Sequence, residues 1–356
     1  MPGTCRALPF CGRAKVSDVP TVEDLPRPAG SLTGFPWTVG SGAPSPSSAR
    51  GGTWPTISIV TPSFNQAQFI EETIRSVLLQ NYPDLEYFVV DGGSTDGTVA
   101  VIRKYERWLS GWVSEPDRGQ AHALNKGFKR CAGDILGYLN SDDVYSPGAL
   151  QRVGADASGV DDPGRVWLCY PVEDFDETGP WRTVIQRGSG DLLDWILPRM
   201  ALHQPGVFWS SAIQRSCSGF DERLHLAFDR DFFMRAIARG ARFVTMPGPA
   251  VARFRLHSAS KTVSDAGSSE RESRFQREFD SISERMMSLL PREQRKEAFQ
   301  HFLRRDLVWE GLIDGRYPRK AGLGLIGAAR RRPRLLRSRV FWGAVRRDLV
   351  GALRRA

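Results

Sequence analysis

Three polar stretches in the first half of the sequence each follow directly on an apolar run. Asp91-Gly92-Gly93-Ser94-Thr95-Asp96-Gly97 follows Tyr87-Phe88-Val89-Val90. Ser114-Glu115-Pro116-Asp117-Arg118-Gly119 follows Trp112-Val113, and Asn140-Ser141-Asp142-Asp143 follows Ile135-Leu136-Gly137-Tyr138-Leu139. Carboxylates grouped in this way can hold a hard cation, because Mg2+ and Mn2+ prefer carboxylate and phosphate oxygens and commonly keep waters. Asn140-x-Asp142, with Asp143 next, has the residue types for that task; the same residues could also be a polar turn closing a strand. Further along, Asp229 and Asp231 open a helical pattern. A carboxylate there can accept the proton of an attacking hydroxyl, or Asp229 can cap the helix.

These residues need elements to position them. Ile57-Ser58-Ile59-Val60 reads as a first buried strand, and the three apolar runs above as the second to fourth. Between them lie helical patterns: Ile70, Ile74, Val77 and Leu78; Val99, Ile102, Tyr105 and Leu109; Ala121, Leu124, Phe128 and Ala132. Strand–helix alternation predicts an α/β fold with a mostly parallel sheet and helices on both faces. Ligands bind such sheets at the carboxyl ends of the strands, and all three polar stretches fall there. The second half is less regular, with apolar pieces at 166–170 and 206–209, a helix from about Asp229 to Arg239, and strands near Phe243 and at 251–255 leading to His257.

The 356 residues carry a net charge of +9. From Arg316 onward there are thirteen Lys/Arg against the single acidic Asp348, so that segment carries +12 and the remainder −3. The basic character is therefore terminal. Arginines interleaved with Leu, Val, Phe and Trp suit an interfacial helix on an anionic membrane surface; a helix packing one face on the body is the alternative. Nucleic acid is not an expected partner, since no recognition module accompanies the segment. The five cysteines are scattered without Cys-x-x-Cys spacing, which fits a reducing cytoplasm. No signal peptide and no spanning helix are expected. The expected organisation is a disordered Pro/Gly/Ser-rich segment over 1–53, a catalytic domain over 54–262 with halves 54–150 and 151–262, and a helical extension with a basic tail over 263–356.

Four motifs in order carry a resemblance. Thr61-Pro62-Ser63-Phe64-Asn65, Val90-Asp91-Gly92-Gly93-Ser94-Thr95-Asp96-Gly97-Thr98, Asp117-Arg118-Gly119-Gln120 with Ala123-Leu124-Asn125-Lys126-Gly127, and Leu139-Asn140-Ser141-Asp142-Asp143 resemble the donor half of a family 2 glycosyltransferase. The resemblance implies a GT-A-type fold and an inverting transfer of sugar from a nucleotide-diphospho-sugar to an acceptor hydroxyl. It places donor contacts on Thr61, Pro62, Phe64, Asn65, Asp91, Gly93, Asp117, Gly119, Asn125, Lys126, Asn140 and Ser141, and Mg2+ or Mn2+ on Asp142. Asn140 stands where the family's metal motif has its first Asp, which concentrates the ligand role on Asp142. More weakly, Leu202-His203-Gln204-Pro205 resembles the acceptor-side loop of a polysaccharide- and lipopolysaccharide-assembly subgroup. Phe228-Asp229-Arg230-Asp231 resembles the segment supplying the base, with Asp229 in that position and Asp231 in reserve. Phe254-Arg255-Leu256-His257 resembles a late segment whose His lies near the metal; a structural His is the alternative. The implied acceptor is a glycan or lipid-linked sugar at the inner face of the plasma membrane.

Other chemistries fit less well. A sugar-phosphate nucleotidyltransferase usually has a Gly-rich, basic loop after its first strand, and Thr61–Asn65 has neither. No Gly-x-Gly-x-x-Gly supports a dehydrogenase, and no Gly-x-Ser-x-Gly surrounds Ser210 or Ser211. A non-catalytic nucleotide-sugar-binding module remains a competitor, against which Asp91, Asp142 and Asp229 stand intact.

Overall fold

The computed structural model describes residues 19–28, 30–42, 53–197, 199–200, 202–258 and 269–309, with 329–330, 333–339, 341–342 and 345 beyond. The alternating pattern forms β1 (Ile57–Ser63), α1 (Ile70–Leu78), β2 (Leu85–Asp91), α2 (Thr98–Tyr105), β3 (Gly111–Ser114), α3 (Gln120–Phe128) and β4 (Ile135–Tyr138). There follow β5 (Val144–Tyr145), α4 (Ala149–Ser158), β6 (Val166–Cys169), β7 (Val172–Asp176), β8 (Gly179–Val184), α5 (Leu192–Ile196), β9 (Val207–Ser210), α6 (Ser211–Cys217), α7 (Phe228–Ala238), β10 (Arg242–Thr245) and β11 (Ala252–Arg255). Two long helices, α8 (Ser269–Met287) and α9 (Arg292–Trp309), complete the regular elements named here.

Seven strands make the large sheet in the order β10-β6-β9-β4-β1-β2-β3. β1 pairs in parallel with both β2 and β4, and β2 with β3, so the ends bearing the polar stretches lie along one edge. β9 runs antiparallel to β4 and β6, so the sheet is mostly parallel, as expected. Every residue of β1 and β2 is buried, which explains their near-continuous apolar runs: a central parallel strand is covered on both faces. Ile57 and Ile59 pack with Ile74, Val77, Tyr82 and Leu150 on one face. Val60 turns to the other, where Gly127 of α3 lies so close that no Cβ would fit. β9 divides its aromatics in the same way. Phe208 joins the first cluster, while Trp209 meets Phe128, Phe220 and Phe232.

The second sheet, β5-β11-β7-β8, was only partly expected. β8 is an edge strand whose residues are exposed or half-buried, so it carries no apolar alternation to announce it. Residues 139–143 are the crossing from β4 in the large sheet to β5 in the small one.

Two boundaries differ from expectation. Part of the segment expected to be disordered, within residues 19–28 and 30–42, lies against the body. Arg75 on α1 has no exposed surface, and its guanidinium donates to the carbonyls of Pro26, Pro36 and Trp37 at 2.9 Å each. Ser41 and Gly42 continue onto α4, through Gly148 N–H to Ser41 Oγ and Gln151 Nε2 to the Gly42 carbonyl. A buried cation thus supplies the ordering that the segment's composition cannot. The chain also divides into compact units Met1–Ser283 and Glu284–Ala356 rather than at 262/263, because α8 residues such as Phe279 and Ile282 are buried before that point.

In the second unit Leu335 and Phe341 are buried, and Arg334 stacks on Phe302 at 5.0 Å and lies 3.2 Å from Asp306. Most of the basic tail lies outside the described residues. Among those described, no helix is long and apolar enough to cross a membrane.

Arg75→Ala strands three carbonyls, one buried and two part-buried, and should cost about 3 kcal/mol. The expected result in urea denaturation is a lower midpoint, with new protease cleavage between residues 19 and 42. Arg75→Lys should not restore it, since an ammonium lacks the planar fork that reaches all three.

Candidate active site

At the carboxyl edge of β1, β2, β3 and β4 the chain surrounds a cleft of about 410 Å³. Its walls come from four loops and one strand of the small sheet. Pro62 is near the end of β1 and Phe64 follows it, Gly92 follows β2, Asp117 and Gly119 follow β3, and Asn140, Ser141 and Asp142 follow β4; Phe254 comes from β11. Phe64 is 59% exposed, so a large aromatic face is presented to solvent there. Gly92 makes room for its neighbours. A Cβ at that position would lie 2.8 Å from Asp117 Oδ2 and 3.3 Å from the Phe64 ring. The other Asp117 oxygen accepts the Gly119 N–H at 2.8 Å, and Gly119, at φ +112°, starts α3.

The loop after β4 is held from several sides. Asn140 Oδ1 accepts from Gln120 Nε2 at 2.7 Å, and Asn140 Nδ2 donates to Asp143 Oδ2 at 3.2 Å and Gln204 Oε1 at 3.4 Å. Gln204 in turn donates to the Tyr138 carbonyl at 2.6 Å. Asp143 is fully buried; burial, and then the charge of Asp142, push its carboxyl well above the ordinary range. Arg255 binds this loop twice, through its N–H to Asp143 Oδ1 at 3.0 Å and its Nε to the Asp142 carbonyl at 2.8 Å.

Asp142 Oδ2 lies 3.1 Å from His257 Nε2, and the His257 ring leans on Phe69 with centroids 4.4 Å apart. Two ligands about 2.1 Å from one octahedral cation, at right angles, are themselves about 3 Å apart, so the pair has the spacing of adjacent ligands. Among the described residues no three His, Cys, Asp or Glu side chains converge. Two protein donors, with the rest left to ligand oxygens and water, is how Mg2+ is usually held at phosphate sites.

The profile of the Glycosyl transferase family 2 matches residues 58–194. A glycosyltransferase of Mycobacterium tuberculosis, itself uncharacterised, is 31% identical over 189 residues, covering 51% of this chain and 69% of the relative. The chain belongs to glycosyltransferase family 2. It is therefore an enzyme of the glycosyl-transfer class. The putative teichuronic acid biosynthesis glycosyltransferase TuaG of Bacillus subtilis is 37% identical over 101 residues, covering 28% of this chain and 40% of TuaG. Among solved structures, S. aureus TarS 1-349 in complex with UDP-GlcNAc has the same fold, with a TM-score of 0.54 at 20% identity over 71% of this chain and 73% of that one.

The expected family site residues divide into two groups. Pro62, Phe64, Asp117, Gly119, Asn140, Ser141 and Asp142 reach the cleft wall, and His257 joins Asp142. The others are not on the cleft wall: Thr61 and Asp91 are buried, Gly93, Asn125 and Lys126 are half-buried, and Asn65 is exposed. Thr61 is buried 3.1 Å from the Tyr87 hydroxyl. Asn65 takes Thr95 N–H and donates its own N–H to Ser94 Oγ, tying two loops together. Asp91 has no exposed surface; it accepts from Gly93 N–H, Ser94 N–H and the hydroxyls of Ser94 and Ser114. Gly93, at φ +87°, completes that turn. Asn125 binds both backbone groups of Phe220, and Lys126 pairs with Glu115 at 2.8 Å. Each of these side chains has a hydrogen bond or ion pair within the protein.

His203, expected on the acceptor side, has its Nδ1 3.3 Å from buried Asp174; burial lowers its imidazole pKa, Asp174 opposes this and Arg182 adds to it. Asp229 is in the first turn of α7, whose cap position is Ala227, so it is not the helix cap. Burial raises its carboxyl above the ordinary value, against the N–H and charge of Arg230. Its charge also reaches Tyr138 at the end of β4, second to burial among the causes that raise that phenol. Asp231 is fully buried and ion-paired with Arg235 at 2.7 Å, which withdraws it from the reserve role. Gln120, Gly92, Phe254 and Arg255 were missed as site residues; each lay inside or beside a quoted motif, but only the fold shows them at the wall or behind it.

Gly92→Ala requires no strained φ, yet its methyl group collides with Asp117 and Phe64. The expected result is an unchanged melting temperature without ligand and at least about tenfold weaker nucleoside diphosphate binding by calorimetry, about 1.4 kcal/mol.

Proposed function

We propose that this enzyme is an inverting, divalent-cation-dependent transferase that moves a sugar from a nucleotide-diphospho-sugar to a hydroxyl of a glycan or lipid-linked sugar. The observation that carries this reading is the Asp142–His257 pair, 3.1 Å apart, whose Asp142 lines the cleft. A cation bound there supplies Lewis-acid stabilisation of the negative charge that develops on the leaving diphosphate. The exposed Phe64 face offers a stacking surface for the base, with Asp117 Oδ2 beside it as a hydrogen-bond acceptor. Gly119 and Gln120, where α3 begins, bring amide groups and the positive end of a helix to the cleft, an arrangement suited to phosphate oxygens.

Inversion requires one carboxylate to take the proton of the attacking hydroxyl. Asp229 fits that role: its raised pKa makes its carboxylate a stronger base than an exposed one, and it lies near the end of β4. His203, held by Asp174, and Gln204 border the acceptor side. Relatives named for teichuronic acid biosynthesis and chondroitin synthesis support a place in cell-surface polysaccharide or glycolipid assembly. The cytoplasmic membrane face is the corresponding location, with the basic tail as the membrane contact.

Two outcomes are expected for Asp229→Asn. Release of nucleoside diphosphate from the donor, UDP-GlcNAc first in a panel, falls by about 10² to 10⁴ in the presence of acceptor and Mn2+, while donor binding persists. Wild-type-like turnover removes Asp229 from the mechanism. The second outcome concerns stability. A carboxyl whose folded pKa is raised contributes stability fully below its unfolded pKa and loses it as pH rises through the folded value. Asp229→Asn should therefore raise the melting temperature at pH 7 and bring no such gain below about pH 3.8.

A further inference from the structure

The turn that leads into α7 contains His225, Leu226 and Ala227, none of which has a side-chain oxygen, and the helix has no side-chain cap of its own. Its amides are nevertheless paired. Leu226 N–H and Ala227 N–H donate to Glu278 Oε2 at 2.8 and 3.0 Å, and His225 N–H lies 3.2 Å from both oxygens of the same carboxylate. Three successive amides converging on one point form an anion-binding nest, and here an internal anion from α8 fills it, some fifty residues along the chain. The adjacent α8 residue makes a second contact: Arg230 lies over the Phe279 ring at 4.9 Å and also donates to the Trp195 carbonyl at 3.3 Å. Asp229 therefore sits between two gripped points, the turn before it and the residue after it. The gripped turn also abuts the cleft, because a Cβ on Gly119 would lie 3.6 Å from His225 Nδ1.

We propose that Glu278 is a positioning residue for glycosyl transfer, clamping the start of α7 so that the Asp229 carboxylate is held at the acceptor side of the cleft. This rests on the assignment of Asp229 as the base. The physical reason is local. A helix start with no cap frays within its first turn, and Asp229 lies in that turn. A displacement of about 1 Å at a reacting group can cost about 10² in rate. The donor wall has hydrogen bonds of its own that do not involve Glu278, Gly119 N–H to Asp117 Oδ1 and Gln120 Nε2 to Asn140 Oδ1 among them. Glu278 should therefore act on turnover and leave donor affinity alone, whereas a residue that merely supports the fold would move both.

The test uses the full chain with Glu278→Ala and Glu278→Gln. Amide exchange followed by mass spectrometry should show faster exchange over residues 225–231 in Glu278→Ala, by tenfold or more. Glu278→Gln, which keeps one acceptor oxygen, should fall between it and wild type. Steady-state assays with UDP-GlcNAc, or whichever panel donor the wild type uses, should give a kcat lowered by about 10² at unchanged donor KM, with partial recovery in Glu278→Gln. Unchanged exchange over 225–231, unchanged kcat, or a fall in kcat matched by a rise in donor KM would each overturn the proposal. If the wild type turns over no donor in the panel, the transferase assignment fails instead, and the exchange measurement still decides whether Glu278 holds the turn.

Discussion

A carboxylate with no exposure to water, Asp143, joins the two sheets of this enzyme. It follows β4 of the large sheet and precedes β5 of the small one, and it accepts the Arg255 N–H from β11 and the side-chain amide of Asn140. Its own carbonyl takes the Thr73 hydroxyl of α1 at 2.7 Å. A buried ionisable group is tolerable only when its hydrogen-bonding capacity is met, so the partners of Asp143 are constrained together. Arg255 must be in place, which it is through Glu72 at 2.6 Å and through contact with the Phe69 and Phe175 rings.

The site inherits its geometry from that junction. Asp142 belongs to the large sheet's loop, and His257 lies two residues beyond the small sheet's strand, yet they meet because Asp143 and Arg255 lock those two segments in register. The same loop fixes Asn140, whose amide is shared among Gln120, Asp143 and Gln204, so the start of α3, the loop carrying Asp142 and the Gln204 turn are coupled through one hydrogen-bonded network. An amide at 140 suits this role: it donates to one neighbour while accepting from another, which a carboxylate cannot do.

Much of the fold was legible because its signals are local. Helical spacing in α1 and the unbroken apolar runs of β1 and β2 follow from which faces are covered, and the polar strand ends share one edge of the sheet. What stayed hidden depends on partners far away in the chain. Residues 19–42 have a composition that suggests disorder, and nothing near them reveals that Arg75 will bind three of their carbonyls. β8 is an edge strand without alternation, defined by pairing with β7. Asp91 and Asn125 have residue types that suit both ligand contacts and internal turns, and the internal bonds they make are to residues that sequence alone does not name as partners. Asp142 and His257 are 115 residues apart; family resemblance pointed to their meeting, whereas spacing alone did not. In the same way, the sequence allowed Asp229 as a helix cap as well as a base, and the structure gives the cap position to Ala227.

The central claim is that the cleft binds a nucleoside diphosphate together with a divalent cation held by Asp142. Thermal melting of the wild type and Asp142→Ala with UDP, GDP or dTDP, each with and without Mn2+, tests it most directly. A bound ligand at about a hundredfold excess over its Kd adds about 2.7 kcal/mol of stability. The expected result is that at least one nucleotide raises the melting temperature, that Mn2+ enlarges the rise, and that Asp142→Ala abolishes the Mn2+ increment. No response to any nucleotide, or an equal Mn2+ increment in Asp142→Ala, would contradict the claim.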